Sequence, residues 1–448
     1  MFVGRTAELK LLEKQYAEEG NNLVVIYGRK GIGKTALLTE FLKGKPSYFY
    51  YEGMECADKL QLQHMNCRLY GEDKNLSYPV LFSELISLQE EKIIIALDEF
   101  QYIMKNSPDF VEALRLLSNP GRSVMFILLS SSIRFVENEM IESFGNMASY
   151  ITAYSKLKEF TFVDLVTRFP KSSVEACIKM NAILGGVPEY LEEWKEEASV
   201  QSNIIKQLLY KNSKLFSEPS RFLKLELRET AVYNTILATL AEGNLKLNDL
   251  YMKTGYSRAK ILVYLKNLSE LDIVEKVVPL SEEGRENLQK GLYRIKDNFF
   301  HFWYRFLFPN YSDLMLDQPE FVYENKIAPY IDKYISEYFA DVCTEFLKLM
   351  NLQQKLPEKF LWWDRWYGKK GTIDIISQSV SGKYLIASCL WKEQKAELSD
   401  YEALITLARE AEKKPDLCYL FSKEGFQEEL YRLAENDNKL ILVGLSDL

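Results

Sequence analysis

Gly28, Gly33, Lys34 and Thr35 stand in the spacing G-x-x-x-x-G-K-[ST], and that spacing suits the binding of phosphate. Glycines at 28, 31 and 33 allow a backbone turn tight enough for several N–H groups to point inward as an anion nest. The ammonium of Lys34 can then meet the terminal phosphates, and the hydroxyl of Thr35 offers oxygen to Mg²⁺, a small hard cation that usually shares its ligands with substrate phosphates. Gly28, Gly31, Ile32, Gly33, Lys34, Thr35 and Ala36 are thus the expected phosphate contacts. A second set lies 63 residues after Thr35, where Asp98 and Glu99 end the run Ile93-Ile94-Ile95-Ala96-Leu97. An acid at the end of a buried strand can hold the metal and a neighbouring acid can polarise an attacking water. Asp98 is assigned to the metal and Glu99 to the general base, with Lys34 beside them in catalysis.

Particular elements must position these groups. The loop needs a buried strand before it (Leu23-Val24-Val25-Ile26-Tyr27) and a helix after it (34–42), so that the phosphate meets a helix N-terminus. The continuous apolar runs at 92–97 and 123–129 suit strands buried on both faces of a parallel sheet. The second run ends in Ser130-Ser131-Ser132, where Ser131 is the candidate sensor of the terminal phosphate. Strands alternating with helices predict an α/β domain of three layers, with its ligand at the C-terminal strand edge. A short aromatic strand at 47–51 and a loop with one helix over 57–78 complete it.

From Ser155 to about Phe222 the pattern predicts helices alone, broken at Gly185-Gly186-Val187-Pro188; the functional reading of this segment is a lid over the nucleotide. Residues 228–297 predict helices over 228–241 and 246–254, a turn at Gly255, and a third helix capped by Ser257. The apolar face of that helix is Ile261, Leu262, Leu265, Leu268 and Leu271. With the strand pair 273–279 and 292–296, this is the layout of a winged helix-turn-helix. Arg258, Lys260 and Lys266 on its third helix are candidate contacts to duplex DNA. From 221 to 276 there are 9 Lys and Arg against 7 Asp and Glu, a balance of +2, little for a contact that depends on neutralising phosphates. A protein-docking role therefore competes with DNA reading. A last α/β unit runs from about 330, with strands at 360–367, 372–377 and 384–391.

The chain has 448 residues, more than one hydrophobic core usually supports. The expected domains are 1–154, 155–222, 223–297, an aromatic connector at 298–329, and 330–448. A net charge of −8 excludes a protein coated in basic surface. Cys56, Cys67, Cys177, Cys343, Cys389 and Cys418 are scattered, with only His64 and His301 as further soft ligands. They suit reduced cysteines in a cytoplasmic protein better than disulfides or a zinc site. No stretch reaches the roughly 18 apolar residues of a membrane span.

Four features in this order, Phe2-x-Gly4-Arg5-x-x-Glu8-Leu9, the phosphate loop, Asp98-Glu99-Phe100-Gln101-Tyr102, and Gly185-Gly186-Val187-Pro188-Glu189-Tyr190-Leu191, resemble the archaeal-type P-loop ATPases of the STAND group, relatives of AAA+ proteins. Tyr293-Arg294-Ile295-Lys296-Asp297 and the aromatic run 299–308 extend the resemblance to members with a winged helix and a C-terminal domain similar to PD-(D/E)XK nucleases. It covers nearly the whole chain and is most specific through residue 191. The resemblance implies ATP as nucleotide, Mg²⁺ as metal, a role for Arg5 at the nucleotide, and a switch rather than a metabolic kinase. Two departures stand out. Relatives tend to carry an arginine in a Leu-Tyr-Gly-Arg-like stretch where this chain has Ser143-Phe144-Gly145-Asn146, so hydrolysis is expected to be slow. The nuclease pattern Glu-x-Asp then Glu-x-Lys is here Thr372-Ile373-Asp374 and Ser388-Cys389-Leu390, leaving Asp374 and an offset Lys392, so an inactive nuclease-like domain is expected. The competing expectations are a DNA-processing enzyme that cuts through this domain, and a nucleotide-gated scaffold with no DNA contact.

Overall fold

The computed structural model describes residues 2–89, 91–105, 107–119, 123–277 and 291–448. The chain divides into two compact units, Met1–Glu159 with Val187–Glu189, and Phe160–Gly186 with Tyr190–Leu448.

The first unit is built on a five-stranded sheet in the order β2-β3-β4-β1-β5, with β1 Asn22–Tyr27, β2 Tyr48–Glu52, β3 Ile93–Asp98, β4 Val124–Ser130 and β5 Ile151–Lys156. All its pairings are parallel, and Val24 stands opposite Ile127, Leu97 opposite Leu128. Every residue of β1, β3 and β4 is buried, which explains why their sequences are apolar without alternation. The two-residue period of a strand sends alternate side chains to opposite faces. Leu23, Val25, Ile95, Leu97, Phe126 and Leu128 join one core with Tyr78, Leu81 and Phe82; Val24, Ile26, Ile94, Ala96, Ile127 and Leu129 join another with Leu12, Leu37 and Phe41. Helices therefore cover both faces, among them α1 (Thr6–Ala17) and α2 (Lys34–Leu42), and the three expected layers are present. Burying one such Leu or Phe is worth about 1.5–3 kcal/mol, so the strand tips are held by a stiff platform.

β5 departs from the expectation of helices alone from Ser155. Its residues are half-buried or exposed, including Thr152 and Tyr154. Such an edge strand has no apolar run to mark it, and exists because its backbone pairs with β1.

In the second unit, α3 (Val174–Leu184) starts at Ser173, whose Oγ accepts from the Ala176 N–H at 3.1 Å, and stops at Gly185, φ 66°. Gly186 follows with no room for a side chain: a Cβ would lie 2.1 Å from the Phe160 carbonyl oxygen, and Gly186 O accepts the Phe160 N–H at 2.8 Å. Next come α4 (Thr230–Ala241), α5 (Leu247–Thr254) and α6 (Arg258–Glu270). Gly255 ends α5 at φ 70°, and Ser257 caps α6 by accepting from the Lys260 N–H at 3.3 Å. Ile261, Leu265 and Leu268 are buried, whereas Leu262, expected on the apolar face, is 42% exposed. The stripe at i, i+4 and i+7 is enough to seat α6, and Leu262 falls on its flank. β6 (Val274–Val277) pairs antiparallel with β7 (Leu292–Ile295); residues 278–279 of the expected first strand lie outside the described residues.

The aromatic run then packs inward. Asp297 accepts from the Phe300 N–H at 2.8 Å, Phe299, Phe300, Phe302 and Trp303 are buried, and Trp303 Nε1 donates to Phe216 O at 2.7 Å. α7 (Ile331–Leu352) leads to a mixed sheet in the order β12-β11-β10-β9-β8, with β8 Phe360–Tyr367, β9 Thr372–Ser379, β10 Tyr384–Leu390, β11 Pro415–Ser422 and β12 Leu440–Gly444. β8, β9 and β10 are antiparallel, while β10, β11 and β12 are parallel. α8 (Leu398–Glu410) and α9 (Glu428–Asn436) supply Leu404, Ala408 and Leu430 to its core.

Candidate functional site

The loop after β1 rises from the middle of the first sheet. Gly28, φ 154°, is pinned where a Cβ would come within 2.8 Å of Leu157 O, and its N–H donates to Ser130 O at 3.2 Å. Gly31 and Gly33 have φ of 81° and 93°, backbone that other residues rarely adopt. Lys34 is buried, with Nζ folded back onto the loop to donate to Gly28 O at 3.0 Å and Arg29 O at 3.3 Å. Ile32 is buried beneath the loop, and Thr35 and Ala36 open the helix on its exposed side. Arg5 reaches the same loop from the start of the chain, donating to Ile32 O at 2.9 Å, with Glu8 at 3.7 Å.

Asp98 lies at the tip of β3, which adjoins β4 and through it β1. Its Oδ2 accepts from Thr35 Oγ1 at 2.5 Å and its Oδ1 from the Glu99 N–H at 2.9 Å. Burial pushes the Asp98 carboxyl above its ordinary range, against the hydrogen bond from Thr35 and the charge of Lys34. A carboxylate kept from water in this way gains strongly from a bound cation. Glu99 turns through φ 48° and points to the neighbouring strand tip. There its Oε2 accepts from Ser131 Oγ at 2.6 Å, from the Ser131 N–H at 3.2 Å, and from Gln101 Nε2. The structure therefore brings together Arg5, the loop 28–36, Asp98, Glu99 and Ser131, from four separated stretches of sequence.

Three participants escape sequence reasoning. The Tyr50 hydroxyl, on β2, is raised by burial first and then by the charge and hydrogen bond of Asp98; nothing in an aromatic strand marks one tyrosine as facing an acid. Arg29, 4% exposed, has Glu159 at 3.9 Å. Glu189 donates its N–H to Gly31 O at 3.2 Å; the motif containing it was the available signal.

The other predicted residues stand elsewhere. Arg258, Lys260 and Lys266 are all exposed on α6. Arg258 donates to Asn248 Oδ1 at 2.6 Å and lies 4.2 Å over the Tyr251 ring. Lys260 is 4.9 Å over the Tyr256 ring, and Lys266 is 3.8 Å from Glu270. At about 100° per residue, Lys260 is turned about 200° from Arg258, so the three are not one patch. In the C-terminal sheet Asp374 Oδ2 accepts the Cys389 N–H at 2.8 Å. Lys392 donates to Asp400 at 2.8 and 2.7 Å, which ties its ammonium to the start of α8. Among the described residues no helix is long and apolar enough to cross a membrane.

A parallel sheet with a phosphate loop after β1 and an acidic pair at the tip of β3 defines the class: a P-loop NTPase domain. Residues 2–74 match the model of an ATPase domain found predominantly in Archaea, and residues 303–401 that of a family of archaeal and bacterial proteins of unknown function. An uncharacterised protein of Methanocaldococcus jannaschii is 29% identical over 95% of this chain and 100% of its own length. An uncharacterised ATP-binding protein of the same organism is 47% identical over 45 residues, 10% of this chain and 76% of its own. A Walker-type ATPase of Pyrococcus abyssi shares the fold with a TM-score of 0.50 at 17% identity, covering 68% of this chain and 96% of that one. The chain carries an archaeal-type P-loop ATPase domain, an ATP-binding enzyme of ATP hydrolysis, followed by a separate mixed-sheet domain.

Proposed function

We propose that this ATPase works in the cytoplasm as a switch of the STAND kind, in which the bound nucleotide sets the state of the modules that follow. The observation that carries the reading is the joint placement of Thr35 on Asp98 and of Ser131 on Glu99. These pairs give the two acids different tasks. Asp98 is buried and shares its oxygen with Thr35, so these two groups would hold Mg²⁺. Two hard oxygen ligands from the chain fit a cation that keeps its waters and the nucleotide's phosphates as the rest of its shell. Bound there, Mg²⁺ would neutralise charge on the phosphates. Lys34 and the inward amides of the loop bind and orient those phosphates, Arg5 steadies the loop at Ile32, and Glu99 takes the proton of the attacking water. Ser131 holds the Glu99 carboxylate at the strand tip.

The output we assign to residues 223–297, read as a winged helix in which Arg258 and Lys266, about 80° apart around α6, meet duplex DNA, while Lys260 is turned to the other side of the helix. A second reading, docking of a protein partner, is favoured by the exposure of Leu262 (42%) and Val263 (57%) on the same helix. For residues 330–448 the proposal is a nuclease-like domain without cleavage: Lys392 is engaged by Asp400 and Asp374 by the Cys389 amide. The test of the whole is nucleotide binding and turnover in the full chain. Lys34→Ala is expected to abolish ATP binding, and Glu99→Gln to retain ATP while turnover stops. Equal ATP affinity in wild type and Lys34→Ala would refute the assignment.

A further inference from the structure

The chain leaves the first unit after Glu159 and returns to it for Val187–Glu189 before rejoining the second. These three residues are fastened to the phosphate loop. Val187 is 1% exposed, Pro188 Cγ lies 3.8 Å from the point where a Cβ on Gly33 would stand, and the Glu189 N–H donates to Gly31 O. The Glu189 side chain lies across Gly31 itself. A Cβ on Gly31 would fall 2.4 Å from Glu189 Oε2 and 2.9 Å from Glu189 Cβ, so the absence of a side chain at Gly31 makes the seat for this carboxylate.

That seat is electrostatically specific. The amides of the loop and the N-terminus of α2 favour anions, and an anionic side chain has settled against the middle of the loop that must receive an anionic ligand. A phosphate arriving at the same loop meets a like charge within a few ångströms, well inside the Debye length of about 8 Å at physiological salt, so the two repel.

We propose that Glu189 is an electrostatic gate on the nucleotide site: its carboxylate rests on the Gly31 face of the loop, opposes the incoming phosphates, and gives way when a nucleoside triphosphate is bound. The inference deepens the reading of 28–36 as the phosphate site and rests on it. Because the triphosphate carries more negative charge than the diphosphate, the gate weighs more on ATP than on ADP. The carboxylate is one of the contacts that fasten 187–189 to the loop, so its displacement loosens the tripeptide and leaves the Glu189 N–H to Gly31 O hydrogen bond to hold it.

The test uses the full chain and fluorescent ATP and ADP analogues. Glu189→Gln keeps the shape and removes the charge. It is expected to bind the ATP analogue about tenfold more tightly, equivalent to about 1.4 kcal/mol, with a smaller gain for the ADP analogue. Glu189→Lys is expected to move ATP affinity further in the same direction, which keeps the test open should one variant fold poorly. Hydrogen exchange across 187–189 in the wild type is expected to quicken when ATP is added. Unchanged or weaker ATP affinity in both variants, with Lys34→Ala still abolishing binding, overturns the gate and leaves the phosphate site standing. If the wild type binds neither analogue, the phosphate-site reading falls and the gate falls with it.

Discussion

Ser131 Oγ donates to Glu99 Oε2 at 2.6 Å, and the Ser131 N–H adds a second hydrogen bond to the same oxygen at 3.2 Å. The bond spans the tips of β3 and β4, two strands that meet only because the sheet places them side by side. It holds the proposed base by a side chain 32 residues away in sequence, and makes Ser131 a positioning residue.

Removing that hydroxyl separates positioning from binding. Ser131→Ala removes one of three donors to Glu99 Oε2, leaving the Ser131 N–H and Gln101 Nε2, and so loosens the carboxylate; kcat is expected to fall about tenfold with ATP affinity within about twofold of wild type, against the 10²-fold or greater loss that removal of a general base brings. Steady-state turnover beside direct binding measurements decides it. A fall in affinity equal to the fall in kcat would place Ser131 at the nucleotide instead.

Asp98 makes a prediction about pH. Its carboxyl is raised in the folded chain above the ordinary 3.8, so the folded state holds the proton more tightly than the unfolded state does. Stability of the nucleotide-free protein therefore falls as pH rises from about 3.8 through the raised folded value, and the group contributes a constant penalty above it. Asp98→Asn removes the buried charge, so the melting temperature of the nucleotide-free protein at pH 7 is expected to rise by a few degrees while Mg²⁺-dependent turnover is lost. Calorimetry with and without Mg²⁺ is the check; a lower melting temperature would show that the ionised carboxylate is already well compensated.

Ligand-linked stability tests the phosphate loop without turnover. At ATP about 100 times its dissociation constant, the wild type is expected to gain about 2.7 kcal/mol against unfolding. Lys34→Ala is expected to gain almost nothing. Thermal melts at graded ATP concentration read the difference directly, and an equal gain in both would sink the assignment of Lys34.

Gly186 tests the packing of the second unit. Gly186→Ala drives a methyl into the Phe160 carbonyl oxygen, 2.1 Å away before any relaxation, and is expected to cost about 1–3 kcal/mol as overpacking does. Gly243→Ala is the comparison: among the described residues nothing lies within 4 Å of its Cβ, and its cost comes from φ 93°. Urea unfolding of both variants ranks them.

On α6, charge reversal distinguishes the two outputs. If Arg258 and Lys266 touch phosphates, Arg258→Glu and Lys266→Glu are each expected to weaken binding to duplex DNA irrespective of its sequence, and to lower the salt slope by about one. If the partner is a protein docking on the apolar flank, Leu262→Asp and Val263→Asp are the damaging changes.

Much of the site was legible in the chain itself. The phosphate loop is a local object: its glycines, lysine and threonine lie within eight consecutive residues and need only a buried strand before them and a helix after, both of which the apolar pattern declares. Asp98 and Glu99 were legible for a related reason, since a strand buried on both faces must be apolar throughout and its first acids mark its end. Ser257 and Gly255 likewise announced the helix boundaries they make. What tertiary structure alone decided are the relations that depend on strand order and on edges. β5 carries no apolar run because its faces are only partly covered and, among the described residues, no strand pairs with its outer edge. Leu262 stands exposed because α6 needs only three buried positions to seat. Tyr50 meets Asp98 because β2 lies beside β3, and Ser131 meets Glu99 because β4 lies on the other side of β3. Glu189 reaches Gly31 from 158 residues away, in a tripeptide that rejoins a unit the chain had already left. Spacing along a sequence records local turns and burial, whereas these contacts are set by which strands and segments become neighbours, a choice made by the packing of the whole domain.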